Sequence, residues 1–125
     1  MIVGTGIDIT EVDRIAESIA RFGRRFLQRV FTPEEIRYCE SKKNSPERYA
    51  ARFAAKEAAM KAIGTGLRRG VTWQDFEIGH APGGKPILRF RGKAADFANA
   101  LGAKHTSLSL THTDKTAMAM VILEN

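Results

Sequence analysis

Seven alanines fall between residues 46 and 63, in PERYAARFAAKEAAMKAI, and no other stretch narrows the fold as much. Alanine favours helix and gives neighbouring backbones room to come close. Ser45-Pro46-Glu47 in front and Gly64 behind are start and stop signals, so the pattern predicts one long helix ending near Ile63. At about 100° per residue, Tyr49, Phe53, Met60 and Ile63 share a face, and alanines cover much of the rest. Such a helix can be packed on most sides. Yet Lys56 falls within the large-apolar face, Glu57 on its border, and Lys61 four residues further along the same side. Burying charge without compensation costs several kcal/mol, so charges on a packed helix point to a site or to a pair.

The remaining segments supply what the helix packs against. IVGTGIDI reads as a strand with Ile7 and Ile9 on one side and Gly4, Gly6 and Asp8 on the other. A helix over 11–22 follows, with Val12, Ile15, Ile19 and Phe22 as its apolar stripe and Gly23 as its stop. Thr32-Pro33-Glu34-Glu35 carries a capping box and starts another helix. VTWQDFEI and PILRF read as strands around the turn APGGK, and a helix over 93–101 leads into TSLSLTHT and TAMAMVIL, which pair as a hairpin. The expected fold class is α+β, a mainly antiparallel sheet packed on a long central helix, in one domain over 1–125. Cys39 is the single cysteine, which excludes an intrachain disulfide and suits a reducing compartment. No apolar run approaches the roughly 20 residues of a membrane span, and MIVGTGIDIT lacks the features of an export signal, so a cytoplasmic protein is expected.

Asp8 and Glu57 come from different elements and have lysines nearby. Two carboxylates so placed can hold Mg²⁺, with water and phosphate oxygens completing its octahedron, while lysines neutralise phosphate charge. The spacing of Glu57 and Lys61 equally serves an ordinary helix-surface ion pair. GTGLRRG is glycine-rich but follows a helix C-terminus and lacks a terminal GKS or GKT, so it is no Walker loop. His112 alternates with Leu108 and Leu110, which puts it on the leucine side of its strand.

Three stretches taken together, GIDI with Asp8, RFAAKEAAMKAIGTG with Lys56 and Glu57, and LSLTHT with His112, resemble the short bacterial branch of the 4′-phosphopantetheinyl transferases. GGKP at residues 83–86 fits as well, and the resemblance runs the length of the chain. It implies transfer of the phosphopantetheine arm of coenzyme A to a serine of apo acyl carrier protein, in support of fatty acid biosynthesis, with adenosine 3′,5′-bisphosphate released. Carried over, Asp8 and Glu57 are Mg²⁺ ligands, and Lys56 and Lys61 neutralise phosphate oxygens. Arg52 and His112 contact the nucleotide end, and Gly64, Thr65, Gly84, Lys85 and Pro86 line its pocket. Glu57 and Lys61 are the catalytic pair, with Glu57 or a metal-bound water as the base. The resemblance also implies a homotrimer with sites at subunit interfaces.

The formal net charge of +6 bears on partners rather than on fold. Acyl carrier proteins are acidic, and Arg14 and Arg21, opposite the apolar stripe of the first helix, with Arg24 and Arg25 just beyond, offer a docking face. The same charge would suit a nucleic-acid-binding module, but no RNP-like strand, zinc pattern or basic strip with interleaved aromatics accompanies it, so no nucleic-acid partner is expected. A non-catalytic interaction protein of the same fold is the second alternative.

Overall fold

In the computed structural model, which describes residues 1–125, the chain runs β1 (Ile2–Glu11), α1 (Val12–Phe22), α2 (Arg24–Val30), α3 (Pro33–Glu40), α4 (Ser45–Ile63), β2 (Phe76–His80), β3 (Pro86–Phe90), α5 (Gly92–Ala100), β4 (His105–His112) and β5 (Thr116–Glu124). A 3-10 turn occupies Trp73–Asp75. Three antiparallel strands in the order β1-β5-β4 form one sheet, and β2 and β3 form a separate antiparallel pair. The expected α+β arrangement of antiparallel strands on a central helix is what the chain adopts.

α4 is buried nearly all round. Ala54, Ala55, Ala58, Ala59 and Met60 pack into a core with Phe76, Ile78, Val121 and Leu123. Tyr49, Ala50 and Ala51 belong to a second core with Val12, Ile15, Leu27, Phe31 and Cys39. Burial pushes the Cys39 thiol up to about 12, so it stays protonated and inert.

The closest approach lies between β1 and α4. A Cβ on Gly6 would overlap the Ala58 carbonyl oxygen, and one on Gly4 would overlap that of Ala62. Two strand residues advance about 6.6 Å and four helix residues about 6 Å, so alternate glycines stay matched to successive helical turns.

The structure departs from the sequence reading in local ways. Gly23, at φ +56°, ends α1 and turns the chain into α2, a seven-residue helix the pattern did not reveal. Phe22, read as part of the α1 stripe, is exposed, with the Arg21 guanidinium 5.2 Å from its ring centre. Residues 71–75 are not strand, because Thr72 and Asp75 cap each other and wind the 3-10 turn, and β2 starts only at Phe76. α4 begins at Ser45 itself, after Asn44, with no side-chain cap.

The β1–α4 contact predicts the outcome of Gly6→Ala. The strand must move off the helix, a strain of roughly 1–3 kcal/mol. Thermal unfolding at matched protein concentration is expected to show a melting point several degrees lower, and an unchanged one would refute the close packing.

Candidate active site

β1 carries Asp8 past the flank of α4 that bears Glu57 and Lys61. The Lys61 ammonium donates to Asp8 Oδ1 at 3.2 Å and to the Ile7 carbonyl at 2.9 Å, and the Thr10 hydroxyl donates to Asp8 Oδ2 at 2.8 Å. Lys61 therefore reaches across to the strand rather than pairing with Glu57 along the helix. Glu57 is half-buried. Its pKa is raised, first by burial and then by the Asp8 charge, with Lys61 and Arg14 pulling the other way. Two carboxylates repelling each other across a strand–helix seam, oxygen donors only, suit a hard divalent cation that takes a few carboxylates and fills its shell with water and phosphate. No group of three or more His, Cys, Asp or Glu residues converges anywhere in the chain, so water and ligand oxygens would have to fill the rest of the shell.

Lys56 does not face a phosphate, contrary to the expectation from the resemblance. It is fully buried, and its ammonium donates to the Trp73 carbonyl at 3.1 Å and the Phe76 carbonyl at 2.8 Å while pairing with Glu35 at 2.8 Å. Its charge is spent inside the core, so it is not open to a phosphate. Burial pulls its pKa down, and the Glu35 carboxylate opposes that. Glu35 keeps its expected place in the capping box, taking the Thr32 N–H at 2.7 Å, and its other oxygen takes the Ile78 N–H, also at 2.7 Å. Sequence reasoning missed this partnership because the cap already accounted for Glu35.

On another flank of α4 a cleft of about 210 Å³ is lined by Tyr38, Arg48, Arg52, His80, Gly84, Pro86, Leu110 and His112. Four expected residues meet here: Arg52, Gly84, Pro86 and His112. His112 stands on the leucine side of β4 and bonds Glu47 through Nδ1 at 3.1 Å. Arg52 is buried, donates to the Arg48 carbonyl at 3.4 Å, contacts His80 Nε2 at 3.2 Å, and leaves its Nε without a partner. A buried guanidinium with an unused donor fits an anionic ligand. Lys85 is exposed on the turn beside the cleft and is not part of its lining. Gly64 and Thr65 lie about 18 Å along the helix from Arg52, beyond Lys61, and do not join the cleft. The other cleft side chains went unnoticed. Arg48 sits one helical turn before Arg52, a spacing that could have flagged it, whereas Tyr38 and His80 arrive from α3 and β2 with no local signal.

Strand-borne Asp8, helix-borne Glu57 and Lys61, and a cationic cleft beyond them have the chemistry that suits a phosphate-rich ligand. The chain belongs to the 4′-phosphopantetheinyl transferase superfamily, whose family model matches residues 4–120. It is 66% identical to the holo-[acyl-carrier-protein] synthase of Koribacter versatilis over the whole of both chains, and 61% identical to that of Solibacter usitatus, again over both whole chains. Its fold is similar to the crystal structure of holo-[acyl-carrier-protein] synthase from Neisseria meningitidis, with a TM-score of 0.90 and 36% identity over all of both chains. It is also similar to the Helicobacter pylori synthase in complex with coenzyme A, with a TM-score of 0.84 and 30% identity, covering 96% of this chain and 99% of that one.

The Lys56–Glu35 pair generates a prediction. Lys56→Met alone or Glu35→Gln alone strands its partner in the core and should cost roughly 3–5 kcal/mol. The double variant should cost clearly less than the sum, read by denaturant unfolding. Additive losses would mean that the two groups do not stabilise each other.

Proposed function

We propose that this protein is a holo-[acyl-carrier-protein] synthase, transferring 4′-phosphopantetheine from coenzyme A to a serine of apo acyl carrier protein. The observation that carries the reading is the seam of Asp8, Glu57 and Lys61 in a chain of this family. The serine oxygen bonds to the pantetheine-side phosphorus as the bridging P–O bond breaks, and adenosine 3′,5′-bisphosphate leaves. Mg²⁺, held by Asp8 and Glu57, would neutralise charge on the diphosphate. Lys61 supplies a further positive charge beside Asp8. Both Asp8 oxygens already accept hydrogen bonds, whereas Glu57 accepts none, so the Glu57 oxygen turned away from the metal would take the serine proton. On the far flank, Arg52 and His112 hold the nucleotide end, with Arg48 alongside. Gly84, Lys85 and Pro86 form the turn over it, and Gly64 and Thr65 lie past Lys61 on the diphosphate side. The product supports fatty acid biosynthesis in the cytoplasm, and no helix of the chain is long and apolar enough to cross a membrane.

The acidic carrier protein docks on α1 and the start of α2, where Arg14, Arg21, Arg24 and Arg25 are all exposed. Arg14 also lies close enough to Glu57 to lower its pKa, so this face borders the carboxylate seam.

The working form is a homotrimer. The sheet face turned away from α4 leaves Ile7 53%, Ile9 61%, Met118 36% and Met120 43% exposed, with Ile7 opposite Met120 and Ile9 opposite Met118 across the β1–β5 ladder. A patch of this kind marks an association surface. Arg52 and Glu57 are five residues apart and project about 140° apart around α4, so one copy presents the nucleotide cleft and the carboxylate seam in different directions.

Intact-mass analysis tests the reaction. Incubation with coenzyme A, Mg²⁺ and apo acyl carrier protein is expected to add one phosphopantetheine to the carrier. Asp8→Ala and Glu57→Ala should each cut the rate at least ~100-fold while leaving the fold intact by circular dichroism, an effect on the scale of removing one electrostatic stabiliser. Near-normal transfer by both variants at millimolar Mg²⁺ would overturn the metal assignment. Met120→Glu puts a charge in the uncovered sheet face and should give monomers by light scattering, with transfer lost. A fully active monomer at micromolar concentration would sink the trimeric reading.

A further inference from the structure

No acid lines the cationic cleft, and those near it are already matched. Glu47 is held by His112, Glu34 by Arg37 at 2.5 Å and Glu77 by Arg91 at 2.6 Å. None is left for Arg52, and its polar contacts are the Arg48 carbonyl and His80. An arginine has donors only, so His80 Nε2 must accept this bond, and the imidazole is neutral with its proton on Nδ1. Both groups lie against one ring: His80 is 4.5 Å from Tyr38, centre to centre, and the Arg52 guanidinium is 4.3 Å from the same ring centre.

His80 stands between charges of both signs. From α4 it meets Arg48 and Arg52, and from the turn after α3 it meets Lys42. Across the cleft, β4 brings His112. On its other side a second cavity of about 360 Å³ carries Glu34, Glu77 and Arg89. Those two glutamates are the ones paired with Arg37 and Arg91. Partial burial, then the Arg52, Lys42 and Arg48 charges, hold its pKa below the usual histidine value.

We propose that His80, resting on Tyr38, is a proton-taking member of the anion site in this cleft: it releases Arg52 to an entering phosphate and becomes a third cation facing that phosphate. The inference rests on the cleft's being the nucleotide end of the site, as proposed above. A phosphate dianion on Arg48 and Arg52 reverses the sign of the field at His80. An opposite charge within ~4–6 Å favours the charged imidazole by about 1–3 pKa units. The imidazolium then gains a cation–π contact with Tyr38 and no longer needs the Arg52 bond. Binding of the nucleotide is thereby coupled to proton uptake, and affinity strengthens as the pH falls from 8 toward 6.5.

Titration calorimetry with adenosine 3′,5′-bisphosphate at pH 7, in buffers of different ionisation enthalpy, reads the protons taken up. The wild-type protein is expected to take up roughly half a proton more per nucleotide than His80→Gln, whose amide oxygen can still accept from Arg52. His112→Gln should keep that excess, and the His80 ring signal in NMR should titrate at higher pH with nucleotide than without. Equal uptake in wild type and His80→Gln, or an excess that disappears only in His112→Gln, overturns the proposal while leaving the nucleotide cleft in place. Absence of binding to the wild type overturns the cleft assignment as well.

Discussion

The site depends on how closely β1 lies against α4. At Gly4 and Gly6 the strand backbone touches the carbonyls of Ala62 and Ala58 with no room for a single added carbon. That approach sets the distance from which Asp8 sees Glu57 and from which Lys61 reaches Asp8 and the Ile7 carbonyl. The alanines of α4 are thus part of the site's geometry as well as of the core. Two charged elements are held at close range by groups that cannot slide, because close-packed interiors yield little. A carboxylate pair mounted this way keeps its mutual repulsion, which adds to burial in raising the Glu57 pKa. The packing around the seam offsets that cost, and the Mg²⁺ proposed above would relieve it.

The second constraint runs through the middle of the same helix. Lys56 and Glu35 are both fully shielded from solvent, yet each is surrounded by partners. Lys56 has three: two carbonyls and the carboxylate. Glu35 has Lys56, the Thr32 N–H of the α3 cap and the Ile78 N–H of β2. A half-satisfied network of this kind would be worse than an apolar core, but this one is filled. Its effect is positional. It pins the start of α3 and the first residues of β2 to one point on α4, and those elements then carry Tyr38 and His80 to Arg52. The cationic cleft is therefore held by a salt bridge buried away from its lining.

Much of this was legible in the sequence, for identifiable reasons. Period-two alternation placed Asp8 with the glycines, the alanine run gave α4, and the Thr32–Glu35 box started α3 where the side chains do cap it. What escaped depends on contacts distant in sequence. Lys56 was correctly placed on the apolar face, but its destination depended on Glu35, 21 residues earlier, whose cap concealed a second role. The spacing of Glu57 and Lys61 invited a local pair, yet the strand offered Lys61 a carboxylate and a carbonyl together, which outweighs one exposed i,i+4 contact of about 0.5 kcal/mol. α2 escaped because seven residues after a glycine carry too short a pattern, and the 3-10 turn because Thr72 and Asp75 overrode β-prone neighbours through side-chain caps.

Helical geometry ties these parts to assembly. Along α4, Arg52 of the cationic cleft and Glu57 of the carboxylate seam are separated by five positions, about 7.5 Å of rise and 140° of rotation. A ligand reaching from one to the other within a single copy would have to pass around a helix packed on nearly every side. A neighbouring copy can bring its own cleft up to the first copy's seam without any such path. The uncovered isoleucines and methionines lie on β1 and β5, on the sheet face opposite Asp8, and β1 is an edge strand, so an interface formed there runs along the strand that carries Asp8. In the homotrimer proposed above, the apolar face and the divided site are one feature: the other half of the ligand pocket arrives with the copy that covers the sheet.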